Sequence, residues 1–244
     1  MDKTRFLVGT SGWTYPDWQG VFYPEGLPKA KWFYHYASVF PAVEVNATFY
    51  RWFKESTYAK WHERAPEKFE YVLKAPRLIT HQRVLKDIEG PVRDFVQSAD
   101  RLGEKLGLIL LQLAPNTPVE LDRLNSALET FGDPRRIAVE FRNDRWFTDE
   151  IRTLLEKAGA VFCISDSPKI RMRDWLTSDV GYIRLHGRRP WYADEYTERE
   201  IEEIAELAKA LGNRGARKVF VFFNNDVGGF AVKNARMLMH LLSP

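Results

Sequence analysis

Residues 138–142 read AVEFR and residues 182–186 read YIRLH. Each stretch starts as an apolar strand and ends with charged side chains two positions apart. Side chains alternate along a strand, so Glu140 and Arg142 share a face, and so do Arg184 and His186. Phe141 and Leu185 then point the other way. The pattern recurs along the chain. Eight short apolar runs stop at polar residues: Phe6–Thr10, Ala42–Val45, Glu70–Leu73, Leu108–Leu111, Ile137–Val139, Val161–Ile164, Gly181–Ile183 and Val219–Phe223. At or just past their ends lie Ser11, Glu44 with Asn46, Lys74, Gln112, Glu140 with Arg142, Asp166, Arg184 with His186, and Asn224 with Asn225.

Helical patterns fill the intervals. They cover Lys29–Phe40, Ser56–Ala65, Glu89–Gly103, Val119–Phe131, Thr148–Gly159, Thr197–Gly212 and Gly229–Leu242. The sixth begins with the capping-box pattern TERE, and several end on glycine. The sixth unit is weak, because Pro168–Ser178 holds at most a short helix. Strand–helix alternation at an interval of about 30 residues predicts right-handed crossovers and a parallel sheet. Eight strands favour closure, so the fold class is α/β, a single (β/α)8 TIM-type barrel spanning residues 1–244. The length of 244 residues is close to the roughly 250 typical of that fold. In such barrels the C-terminal strand ends carry the chemistry.

Composition narrows the function classes. Hydrophobic residues make up 45% and charged residues 28%, ordinary for a globular chain that needs no disulfide to fold. The single cysteine, Cys163, lies inside an apolar run and reads as a small buried hydrophobe. The chain enters its first strand almost at once, which leaves no room for a signal peptide, and no apolar stretch approaches a membrane span. The expected location is cytoplasmic, without membrane contact. The net charge of +3, from 36 Lys+Arg against 33 Asp+Glu, is too small to argue globally for nucleic acid. There is no dinucleotide fingerprint and no GxxxxGK[ST] phosphate loop.

Three strand-to-helix connections are long. Ser11–Pro28 carries Trp13, Tyr15, Trp18, Phe22 and Tyr23. Ala75–Asp87 carries Arg77, His81 and Arg83, and Gly187–Tyr196 carries Arg188, Arg189 and Trp191. Loops of this length in a compact barrel usually serve function.

Read together, GTSGWTYPDWQGVFYPEGLP, VEVNATFYR, LKAPRLITH, LLQLAP, AVEFRNDRWF, the aspartate of SDSP, YIRLHGR and FVFFNNDVGGFAVKNA resemble the YecE-like family, the domain of unknown function 72 family. The resemblance runs in order from about Val8 to Leu242. It implies a TIM-type barrel and names no reaction. The chain departs from the family pattern at Ala47, where serine is common, at Trp52–Phe53, where Leu-Pro is common, and at Ala114, where proline is common.

The strand ends predict a site. Glu44, Lys74, Glu140, Arg142, Asp166, Arg184, His186 and Asn224 should converge at one mouth. Lys74, Arg142, Arg184 and His186, backed by Arg77, His81, Arg188 and Arg189, outnumber Glu44, Glu140 and Asp166. That balance should attract an anion, and arginine forks suit phosphate or carboxylate. Asn46, Gln112 and Asn224 add polar contacts. Trp13, Tyr15, Trp18 and Trp191 add stacking faces of the kind used for bases and single strands. Glu140 and Asp166 are the first candidates for base and acid, followed by Glu44 and His186.

No cofactor is required. A single divalent metal is compatible with carboxylates at strand ends, but Lys74 and Arg142 would repel it, and His81 and His186 are too few for a histidine-rich zinc cluster. Lys74 could form a Schiff base, although a salt bridge to Glu44 or Glu140 is the plainer reading. A glycosidase reading suits the tryptophans and conflicts with the cations. The expected function is a hydrolase or lyase acting on a phosphate-bearing or otherwise anionic substrate. The alternative is a non-catalytic protein that binds nucleotide or nucleic acid with the same cations and aromatics.

Overall fold

The computed structural model describes residues 3–170 and 172–243. Its strands are β1 (Arg5–Thr10), β2 (Ala42–Val45), β3 (Glu70–Lys74), β4 (Leu106–Gln112), β5 (Ile137–Glu140), β6 (Val161–Asp166), β7 (Val180–Leu185) and β8 (Lys218–Phe223). The helices are α1 (Lys29–Val39), α2 (Ala47–Tyr50), α3 (Glu55–Arg64), α4 (Glu89–Ala99), α5 (Leu121–Thr130), α6 (Asp149–Ala158), α7 (Glu198–Asn213) and α8 (Phe230–Leu242). The strands form one sheet in the order β1-β8-β7-β6-β5-β4-β3-β2, with every ladder parallel. This is the expected (β/α)8 architecture. Between β6 and β7 the described residues form no helix.

Strand alternation splits the core in two. Leu7, Val72, Leu108, Leu110, Ala138, Val161, Cys163, Tyr182, Phe220 and Phe222 pack together inside the barrel. Val43, Leu73, Val139, Ile164, Ile183 and Val221 alternate with them and pack in the larger cluster shared with the helices. Cys163 belongs to the inner cluster, where burial raises its thiol well above the usual range. No described helix is long and apolar enough to cross a membrane.

The β1–β2 seam differs from the other strand pairs. It carries one parallel bridge, Ser11 to Glu44, where the other neighbours share ladders. The Tyr36 hydroxyl, reaching in from α1, spans the gap on the N-terminal side of that bridge. It accepts from Thr10 N at 2.9 Å and donates to Ala42 O at 3.0 Å. Glycine is required beside this junction, because a Cβ at Gly9 would lie 2.1 Å from Ala42 O.

Candidate active site

The interior-facing residues continue past the apolar layers. On β2 the parity that buries Ala42 inside the barrel carries Glu44 inward, whereas Asn46 has left the strand at the start of α2 and lines a groove beside it. On β5 the same parity carries Glu140 and Arg142, and on β7, beyond Tyr182, Arg184 and His186. Glu44, Glu140, Arg184 and His186 are all fully buried. Buried charges persist only when paired, and these are paired closely. Arg184 donates from Nε to Glu44 Oε2 at 2.8 Å and from Nη2 to Glu44 Oε1 at 2.6 Å. Its Nη1 donates to Glu140 Oε2. Glu44 also accepts from Ser11 Oγ at 2.7 Å and from the Tyr182 hydroxyl. Arg142 Nε stands 2.9 Å from Glu140 Oε1, without hydrogen-bond alignment.

These contacts set the charge states. Burial pushes Glu44 and Glu140 up, but pairing outweighs it, chiefly with Arg184 for Glu44 and with Arg142 and Arg184 for Glu140. Glu44 is held below its ordinary range and Glu140 well below. His186 drops to about 3 through burial and then the charges of Arg142 and Arg184. The imidazole is therefore neutral. Asn224 Nδ2 contacts His186 Nδ1 at 3.0 Å, and His186 Nε2 lies 3.1 Å from Glu140 Oε1. Arg142 Nη2, which can only donate, lies 3.1 Å from the same Nε2, so the neutral ring is enclosed by Asn224, Glu140 and Arg142. Trp191 roofs this cluster, its ring 5.0 Å from the Arg142 guanidinium carbon and 5.6 Å from the His186 ring.

Arg184 thus serves as counter-ion to two glutamates, and this corrects its expected role as a free anion fork. Asp166 does not join the site. β6 places Val161 and Cys163 inside, so Ser165 takes the inward position and Asp166 points toward the helix layer. There it accepts from Arg188 Nε at 2.8 Å, and Arg188 also donates to Glu203 at 2.8 Å. The expected Glu140–Asp166 acid–base pair is therefore absent. Trp18 is also displaced from its expected ligand-facing role. It is fully buried, and its indole donates to Asp226 O at 3.0 Å. Gln112 ends β4 on the inward face, beside Glu140 in register. Among the described residues no three His, Cys, Asp or Glu side chains are grouped to hold a metal ion.

Lys74 overturns its plainer reading. It ends β3 inside the mouth, and no described carboxylate lies within 4.0 Å of its amine, because Glu44 and Glu140 are already engaged. The ammonium instead sits over the Phe49 ring at 4.2 Å. Burial and then the charge of Arg184 lower it to about 7, against a smaller pull from the two glutamates. His81 stacks edge-on against the same Phe49 at 4.9 Å and is lowered to about 4 by burial and by Lys74, Arg77 and Arg142. Arg77 is exposed at the rim.

Two features were missed in the sequence. The first is Asp226, three residues past β8, where burial raises the carboxyl to about 7 and Oδ1 is buried without a hydrogen-bond partner among the described residues. The second is a groove of about 570 Å³ beside the seam. It is lined by Ser11 to Tyr15 and Val45 to Ala47, including the half-buried Trp13, and by Phe53, Thr57 and Trp61. Lys29, Arg51 and Arg64 line it and no carboxylate does. None of these cations forms an ion pair with a described residue. Arg64 packs over Phe33 at 4.1 Å and Trp13 at 5.4 Å, and its Nε and Nη2 are buried without partners. Asn46 Oδ1, in the groove lining, is also buried and unpartnered. Ala47 and Phe53, two departures from the family pattern, both line this groove.

Fold and site together define a parallel (β/α)8 barrel with a buried charge cluster and an open cationic groove at its C-terminal mouth. The chain belongs to the family described as "Protein of unknown function DUF72", whose model matches residues 7–244. It is 26% identical to the UPF0759 protein YunF of Bacillus subtilis strain 168, covering 96% of this chain and 94% of that protein. It is 29% identical to the UPF0759 protein YecE of Escherichia coli K12, over 66% of this chain and 58% of that one. The crystal structure of a DUF72 family protein from Thermotoga maritima MSB8 superposes with a TM-score of 0.89 at 29% identity, covering 98% of this chain and 99% of that one. A DUF72 family protein from Enterococcus faecalis V583 shares the fold at 22% identity, with a TM-score of 0.82 over 99% of each chain.

Proposed function

We propose that the protein is a cytoplasmic enzyme of the hydrolase or lyase class, acting on a small anionic, phosphate-bearing substrate held in the groove beside the β1–β2 seam. The observation that carries this reading is the groove's composition: three cations, four aromatics and no carboxylate in about 570 Å³. Ligand pockets are typically about 300–1,000 Å³, with a few convergent polar groups on apolar walls. Arg64 and Asn46 supply such groups, since their buried polar atoms lack partners among the described residues. The groove shares Ser11 with the Glu44 end of the buried cluster, so a ligand there lies next to charged groups held in fixed positions.

Asp226 and Lys74 replace Asp166 as acid–base candidates, because each is brought to about 7 by burial. The test is thermal shift with inorganic phosphate, ribose 5-phosphate and AMP at low and high salt. Each bound anion should raise Tm by mass action, less so at high salt. Arg51→Ala with Arg64→Ala should remove the shift. No response to any of these anions would sink the reading.

The aromatics favour one second reading, a binder of nucleotide or single-stranded nucleic acid without turnover. An oligonucleotide that binds through Trp13 and Trp61, with no turnover in a phosphoester and sugar-phosphate screen, would select it.

A further inference from the structure

Building on the reading of the groove as an anion site, we infer that Lys74 is a nucleophilic amine that forms an imine with the carbonyl carbon of an aldehyde or ketone substrate bearing a phosphate or carboxylate. The amine of Lys74 lacks a counter-ion among the described residues. A buried ammonium is costly unless paired, yet Lys74 has no carboxylate within 4.0 Å among the described residues. Glu44 on the adjacent β2 and Glu140 on β5, two strands away, are saturated by Arg184, Arg142, His186, Tyr182 and Ser11. The lysine therefore contributes nothing as a structural counter-ion.

Its setting suits the free amine. The nitrogen rests 4.2 Å from the centre of the Phe49 ring, and its charged neighbours include Arg142 and Arg184. Burial together with Arg184 brings the ammonium to about 7, so at neutral pH a large share of molecules carry an available lone pair. The strand end is held in place, because Thr48 Oγ1 donates to Lys74 O at 2.6 Å. Position also links amine and groove. Asn46 and Ala47 line the groove, and Phe49 of the same short turn supports the lysine. Lys74 itself does not line the groove, so a substrate anchored by the groove cations would have to extend past α2 to meet the amine.

The step balances without any co-reactant. The amine lone pair attacks the carbonyl carbon, a C–N bond forms, and an amine proton passes to the oxygen. The carbinolamine then loses its hydroxyl with the second amine proton as water, leaving C=N. A proton taken up by the imine nitrogen makes the iminium, which withdraws electrons from the adjacent carbon.

The experiment uses the full chain at pH 7, treated with cyanoborohydride and either glyceraldehyde 3-phosphate or pyruvate, and read by intact mass and peptide mapping. The expected result is a single reduced adduct on Lys74, absent in Lys74→Arg, whose Tm reports whether the variant is folded. Reductive methylation with formaldehyde supplies a measurement that needs no substrate. Lys74 should label at least about tenfold faster than the exposed Lys60, given its larger free-amine fraction. Adducts spread over surface lysines, unchanged in Lys74→Arg, would overturn the inference. So would formaldehyde labelling of Lys74 no faster than Lys60. If Lys74 is trapped alone by pyruvate while phosphate neither protects it nor shifts Tm, the groove reading falls and the imine stands.

Discussion

The centre of the barrel mouth and its β2–β3 flank use the same residue types to opposite ends. At the centre, Arg184 meets two glutamates, and every charge has a partner at hydrogen-bond distance. At the flank, Arg51, Arg64 and Lys74 have no described carboxylate within reach. The centre has settled its electrostatics internally, so it presents a rigid, nearly neutral floor. The flank leaves its charge unanswered, and unanswered charge is what a ligand can satisfy. Counting cations at the mouth conflates these two populations. The useful distinction is whether a carboxylate already holds each one.

Breaking the centre should have the largest effect. Arg184→Met strands two buried carboxylates, and loss of one partner from a buried ion pair costs about 3–5 kcal/mol. Urea denaturation should show that loss, or failure to fold. A loss below about 1 kcal/mol would mean that the centre is wet and the contrast false.

Acid should dismantle the same region in two stages. His186 falls from 6.5 to about 3 on folding, so the unfolded chain binds the extra proton across that window. Stability therefore declines as pH drops below about 6.5. Glu44 and Glu140 are depressed below 4.5, so their contribution is present above that value and is lost as pH falls further. Denaturation midpoints from pH 8 to pH 3 should show both limbs. His186→Asn should shrink the upper limb to the part that His81, lowered to about 4, still contributes.

The barrel itself was readable because a two-residue period and a polar stop recur at every strand. Glu44, Glu140, Arg184 and His186 followed from the same parity. Asp166 did not, because VFCIS is apolar on both faces and offers no phase for its last residue. Only the packing of Val161 and Cys163 inside the barrel shows that Ser165 faces in. The groove escaped for another reason. Arg51, Phe53, Trp61 and Arg64 lie on a turn and on α3, and curvature rather than spacing brings them to Trp13. Lys74 was misjudged as a salt-bridge partner because the sequence lists charges without saying which glutamate each cation has already taken.

At the flank the expected sign reverses. Lys74 is lowered from 10.5 to about 7, so the unfolded chain binds more protons between those values and stability rises with pH across them. Below pH 7 the buried ammonium is a burden. Lys74→Met should raise Tm by about 2–4 °C at pH 6, as about 1 kcal/mol does in a chain of this size. The gain should shrink as pH rises above 7. A loss of Tm at pH 6 would show that the amine is paired in solution.

The smallest effect on stability is the most diagnostic for binding. Arg64→Ala should destabilise by only about 0.5–1 kcal/mol, because the half-buried guanidinium loses its packing over Phe33 and Trp13 but no ion pair. It should nevertheless abolish most of the Tm increase produced by phosphate. A comparable response in wild type and variant would move the anion elsewhere.

The β1–β2 seam gives the barrel a mechanical character of its own. A hoop of eight staves is here joined along seven edges by ladders and along the eighth by one bridge and a tyrosine hydroxyl. The groove opens over that eighth joint, its lining contributed by the chain leaving β1 on one side and β2 on the other. Anything seated there acts as a clasp. Occupancy would stiffen the whole ring from its weakest edge, so the amides of Thr10, Ser11 and Glu44 would exchange with solvent more slowly when the groove is full.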